Sequence, residues 1–145
     1  MSDLARFLGK IDHRLDGCWH WTAGKTGAGY GAFWHDGRQT LAHIFAYRHW
    51  TGEIPEGKQL DHLCRNRACV NHAHLEPVTI ATNVLRGEGH AARNARKTHC
   101  DQGHALTGPN LIVKPSARNP SRTWRACRAC MNENRREKRR MARTP

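Results

Sequence analysis

Asp61-His62-Leu63-Cys64-Arg65-Asn66-Arg67-Ala68-Cys69-Val70-Asn71-His72-Ala73-His74-Leu75 decides the fold. From Cys64 to His74 the chain is too polar and too irregular for a helix or a strand. It nevertheless carries Cys64, Cys69 and His74 at even intervals, the mark of a loop wrapped around a metal ion. Outward on one side, Gln59–His62 reads as a short strand. On the other, Leu75–Val78 reads as a return strand. The residues 79–86 read as a helix, with Thr79 as cap, Ile80 and Val84 sharing a face and Gly87 as terminator.

The cysteine count extends this reading. Six cysteines are present. Cys64 and Cys69 with His74 fill three corners of a tetrahedron, and Cys18, far away in sequence, supplies the fourth. His74 is preferred because it abuts the apolar strand start at Leu75. His72, two residues earlier, is the alternative. The remaining set is Cys100-x3-His104 and Cys127-x2-Cys130, two close pairs that suit a second four-ligand zinc site. Residues 110–113 and 122–125 form the hairpin expected between those pairs, as in a zinc ribbon. Both sites are closed, so both zinc ions are expected to be structural. Disulfides are the competing use of six cysteines. The expected location is the cytoplasm, a reducing compartment, because no signal-like leader opens the sequence.

The 145-residue chain is poor in core material: 38% of its residues are hydrophobic and its mean hydropathy is −0.79. Zinc would substitute for the missing core. No window approaches the ~20 apolar residues of a membrane-spanning helix. The net charge is +12, and it is unevenly placed. Residues 1–85 hold nine Lys and Arg against eight Asp and Glu, whereas residues 86–145 hold fifteen against four. Such asymmetry points to a polyanion, most simply nucleic acid.

Elsewhere, Ser2 caps a helix with Leu4, Phe7, Leu8 and Ile11 at helical spacing. Tyr30–Trp34 and Gln39–Leu41 form a hairpin around His35–Arg38. A helix over residues 42–50 presents Ala42, Phe45, Ala46 and His49 on one face. The organisation expected is a small α+β domain over 1–87, a linker over 88–97, a zinc module over 98–131 and a basic tail over 132–145. The tail is expected to be helical when bound and frayed when free. Arg38, Arg122, Arg125, Arg128, Arg135, Arg136, Lys138, Arg139 and Arg140 are the expected DNA-binding residues.

The pattern His62-Leu63-Cys64-x4-Cys69-x4-His74-Leu75-x7-Asn83 resembles the HNH endonucleases of the His-Me (ββα-metal) finger superfamily. It is closest to the phage-type proteins and is similar to the His-Cys box homing endonucleases. One departure is His72, where the family carries proline. The resemblance implies a ββα-metal core over about residues 18–87 and a metal-dependent DNA endonuclease, with nicking and double-strand cleavage both open. His62 would be the general base, and Asp61 and Asn83 would hold one Mg²⁺ or Mn²⁺. Arg38, His43 and Arg48 are candidates to contact the scissile phosphate. A phage-encoded enzyme acting inside a bacterial host is implied. The rival reading is a non-catalytic zinc protein that binds DNA as a regulator or packaging accessory; an RNA-binding zinc protein is a third. Monomer and homodimer both remain open.

Overall fold

In the computed structural model, which describes residues 2–118 and 123–143, the chain divides into two units, Met1–Asn83 and Val84–Pro145. The fold class is small mixed α+β, with two-stranded sheets throughout. Among the described residues no helix is long and apolar enough to cross a membrane.

Unit 1 opens on α1 (Asp3–Leu8), whose Ser2 cap accepts from Ala5 N. A short strand that the helical spacing of Ile11 concealed follows: β1 (Ile11–His13) pairs antiparallel with β2 (Trp19–Trp21). Next come β3 (Ala32–His35) and β4 (Arg38–Leu41), joined by a tight turn. Asp36 and Gly37 both take positive φ there, 52° and 69°, as the right-handed strand twist favours in a two-residue hairpin loop.

Helix α2 (Ala42–Trp50) lies against this hairpin. Its buried face is Ala42, His43, Ala46 and Tyr47. His49, expected on that face, is exposed, and His43 takes the interior instead. The core is aromatic: Phe7, Trp21, Phe33, Ala42, Ala46 and Val70 are buried together. Phe7 touches four aromatic rings at centroid distances of 4.7 to 6.0 Å.

Strand β5 (Lys58–His62) and strand β6 (Leu75–Thr79) are antiparallel, in register from Lys58↔Thr79 to His62↔Leu75. Helix α3 (Ile80–Arg86) follows at once, and Thr79 Oγ1 accepts from Thr82 N at 3.1 Å. The strand–loop–strand–helix order expected of residues 59–86 is therefore present.

Unit 2 holds α4 (His90–Arg96), β7 (Leu111–Pro115), β8 (Thr123–Cys127) and α5 (Arg128–Met141). The stretch expected as a linker carries α4, with Ala92 fully buried. Two alanines at positions 91 and 92 and a third at 95 favour that helix. The basic end, expected to be helical when bound to DNA and frayed when free, is regular helix to Met141.

Candidate active site and metal centres

Strand β2 docks on the Cys64–His74 loop. Trp21 N donates to Ala68 O at 2.9 Å and Val70 N to Trp19 O at 2.8 Å. That pairing carries Cys18 from the N-terminal hairpin to the loop. Cys18, Cys64, Cys69 and His74 then lie with their ligand atoms within 4.8 Å of one another. His74 Nδ1 is 3.7 Å from Cys18 Sγ and 3.6 Å from Cys69 Sγ. Zinc with ordinary Zn–S and Zn–N bonds has tetrahedral edges of about 3.6 to 3.8 Å, so the spacing suits that ion. All six cysteines are free thiols. Burial, and then the neighbouring Cys64 and Cys69, push the Cys18 thiol up to about 12, so a cation is needed to hold three thiolates together.

His72 lies outside that group of four and packs elsewhere. His72 stacks on Trp50, with centroids 5.7 Å apart and planes at 16°, and meets Trp19 edge-on. Its Nδ1 lies 3.5 Å from Thr51 Oγ1. Asn71 adds the loop's own brace, donating to Gly17 O at 2.8 Å and accepting from Ala73 N.

His62 closes β5, buried at 6% exposure. Its Nε2 lies 3.0 Å from Cys69 O. A carbonyl only accepts, so Nε2 carries the proton and Nδ1 the lone pair. Burial holds the ring's pKa below the usual histidine value, more than the Cys69 carbonyl and Asp61 raise it. Beside it, His43 on α2 meets the His62 ring at 4.8 Å, and Tyr30 lies 5.3 and 5.8 Å from the two rings. His43 is 4% exposed, and its Nδ1 has no hydrogen-bond partner among the described residues. Burial and then His62 hold it down at about 3. The exposed-face assumption for α2 hid this neighbour. Its spacing from Tyr47, four residues on, is the signal that reveals a second buried edge.

Asp61 is 4% exposed and pairs with Arg65 at 2.8 Å. Asn83 donates to Gln59 Oε1 at 3.3 Å. Gln59 and Asp61 share one face of β5, because side chains alternate along a strand, and that places Asn83 on Asp61's side. The ladder stays regular through His62, and the sharp turn comes after it, where Arg65 takes a φ of 58°. Asp61 and Asn83 offer hard oxygen donors of the kind that Mg²⁺ or Mn²⁺ takes, and a cationic partner already sits on Asp61.

In unit 2, Cys100, His104, Cys127 and Cys130 form a second cluster. His104 Nδ1 is 3.5 Å from Cys100 Sγ and 3.3 Å from Cys130 Sγ, and the two sulfurs are 3.7 Å apart. The same tetrahedron fits, and each cluster could hold zinc.

The expected DNA contacts separate by surroundings. Arg125 donates to the carbonyls of Asn94, Ala95 and Lys97, and Arg128 to Pro109 O at 2.7 Å, so both guanidinium groups brace the fold. Arg135, Arg136, Lys138, Arg139 and Arg140 are exposed on α5. Arg38 lines a cavity of about 360 Å³ with His35, Arg48 and His49, where Arg48 pairs with Glu53 at 3.2 Å. Arg122 lies outside the described residues.

Residues 40–85 match the HNH endonuclease family. That stretch contains Asp61, His62, Asn83 and three of the first cluster's four ligands. Over 46 residues the chain is 30% identical to the uncharacterized gene 5.3 protein of Enterobacteria phage T3. The match covers 32% of this chain and 46% of that relative, so the chain spans about half the length of the curated relative it matches. No solved structure matches.

Proposed function

We propose that this protein is a divalent-metal-dependent DNA endonuclease of the HNH type, with His62 as general base. One observation carries the reading: the Cys69 carbonyl fixes the His62 tautomer, and burial keeps the ring neutral near pH 7. A neutral imidazole with a free Nδ1 lone pair can take a proton from water. The water oxygen then bonds to phosphorus and the bond to the 3′ oxygen breaks, leaving 5′-phosphate and 3′-hydroxyl ends. Asp61 and Asn83 would hold one Mg²⁺ or Mn²⁺, which when bound supplies charge stabilisation at the scissile phosphate. Arg65 would give up its hold on Asp61 to that ion. Tyr30 and His43 pack against the His62 ring and support its position.

Residues 1–87 would be the nuclease, with 98–131 a zinc module and the basic end a DNA grip. Each cluster would hold one structural zinc. DNA as partner follows from the family match and the charge asymmetry, and a bacterial cell infected by a phage is the natural setting, given the phage relative. The test is plasmid cleavage with Mg²⁺ or Mn²⁺ by wild type and by His62→Ala, with zinc measured in both. We expect two zinc ions per chain in both proteins and a loss of cleavage on the order of 10²–10⁴ in the variant. Equal cleavage would discard the mechanism. No cleavage by either protein, with DNA binding retained, would favour the non-catalytic reading.

A further inference from the structure

Helix α5 begins inside the second metal cluster and ends in a row of arginines. Cys127 is its N-cap residue and Cys130 lies in its first turn, and both belong to the cluster. Ala129 N donates to Asn110 Oδ1 at 3.0 Å, and Arg128 Nε donates to Pro109 O at 2.7 Å. The first turn is thus pinned four ways. From Asn132 to Arg143 every residue is exposed. A lone helix of this length is marginal in water because its first turn is costly to form. Here the cluster supplies that turn ready-made.

The charges along the exposed length are sorted. Glu133, Asn134 and Glu137 line one recess, together with Cys100, Asp101, Cys127 and Cys130. Arg136, Arg139, Arg140 and Arg143 line a separate one of about 500 Å³. At 100° per residue Arg136, Arg139 and Arg140 fall within an arc of about 100°, one face of the helix, spanning about 6 Å along the axis, and Arg143 follows just past the helix end. Lys138 projects from the far side.

We propose that this arginine face is a preformed docking surface for the phosphates of duplex DNA, held rigid by the second metal cluster. The inference rests on DNA being the partner but not on cleavage. Three features choose the occupant. Guanidinium groups match phosphate geometry and stay charged. No aromatic residue lies on α5, so the stacking platforms that single strands use are missing. The major groove of B-form DNA admits an α-helix, whereas that of duplex RNA is too narrow.

The test uses the full-length protein, without added divalent ion so that cleavage does not intervene. Binding to a short duplex DNA, to one of its strands and to the matching RNA duplex is measured across a salt series. Arg139→Gln and Lys138→Gln are compared because they remove the same charge from adjacent positions. We expect Arg139→Gln to flatten the log–log salt slope for duplex DNA by about 0.9, the loss of one phosphate contact, and Lys138→Gln to leave it unchanged. Arg139→Lys should restore most of the slope. Equal slopes in the two Gln variants would overturn the proposal in favour of a diffuse basic tail. Equal or tighter binding of the single strand or the RNA duplex would overturn the choice of partner. A wild type that binds duplex DNA through this face yet cleaves nothing would sink the nuclease reading alone.

Discussion

The two clusters use the same ligands, three cysteines and one histidine, in opposite surroundings. The first sits beside an aromatic core of Phe7, Trp21 and Phe33, all essentially buried. The second has little near it: Ala92, Leu106 and Cys127 are the buried apolar residues described in its unit. The first ties a distant segment, through Cys18, to the loop whose Cys69 carbonyl orients His62. The second ties a hairpin to the first turn of a helix. With zinc bound, the first cluster would add precision to a unit that packs by itself, while the second would substitute for packing.

The sharpest way to break this contrast is to remove one ligand from each cluster. Cys127→Ser should unfold unit 2 outright, since structural zinc contributes ~10–16 kcal/mol in small modules, more than a whole small domain's usual stability. Zinc content should fall from two ions to one, and amide protection in residues 98–131 should vanish. Protection in α1 and α2 should persist. Retained protection in 98–131 would mean that the hairpin and α5 pack without metal.

Cys69→Ser should behave differently. Zinc again falls to one, but α1, α2 and the β3–β4 hairpin should keep their protection because aromatic packing holds them. Cleavage should drop on the order of 10²–10⁴, the scale of general-base catalysis, because the carbonyl that orients His62 moves with the loop. If unit 1 instead loses all protection, the first cluster is as indispensable as the second. If cleavage survives, the loop does not position the base.

Gly31→Ala probes the core without touching a ligand. A Cβ there would lie 2.7 Å from the Trp21 ring and 2.9 Å from Ala42 Cβ. Overpacking of this kind costs about 1–3 kcal/mol. The urea midpoint of unit 1, followed by its tryptophans, should fall with zinc content unchanged at two. An unchanged midpoint would show that the strand moves aside at little cost.

Metal ligation was the most legible part of the sequence. Thiolate spacing is a local property, and it selected seven of the eight residues that come together, while the cysteine count supplied Cys18. The β5–β6–α3 order was legible for the same reason: its capping threonine and its apolar faces lie within a few residues. What stayed hidden depended on tertiary context. Strand β1 is only three residues long and is fixed by pairing with β2, not by its own pattern. Helix α4 looked like a linker because it buries a single residue, Ala92, by packing that composition does not reveal. His43 looked like a cation on a surface helix. The position of α2 against Tyr30 and His62 places it inward.

His43 also gives the comparison its finest test, through pH. Its pKa is held at about 3, against 6.5 for an ordinary histidine, first by burial and then by His62. The unfolded chain therefore binds a proton below pH 6.5 while the folded chain does not. Stability from this group is complete above about pH 6.5 and is lost progressively as pH falls toward 3, at up to about 1.4 kcal/mol per pH unit. Thiolate protonation also weakens zinc binding in acid, so the wild-type curve alone mixes two effects. His43→Phe separates them: it keeps a ring in the cavity, leaves both clusters intact and removes one titrating group. Between about pH 7 and about pH 5 the unfolding midpoint of unit 1 should fall less steeply in the variant than in wild type. The midpoint of unit 2, followed by Trp124, should track wild type. Parallel curves for unit 1 would mean that His43 is protonated in the folded protein, and then it could not serve as a neutral wall behind His62.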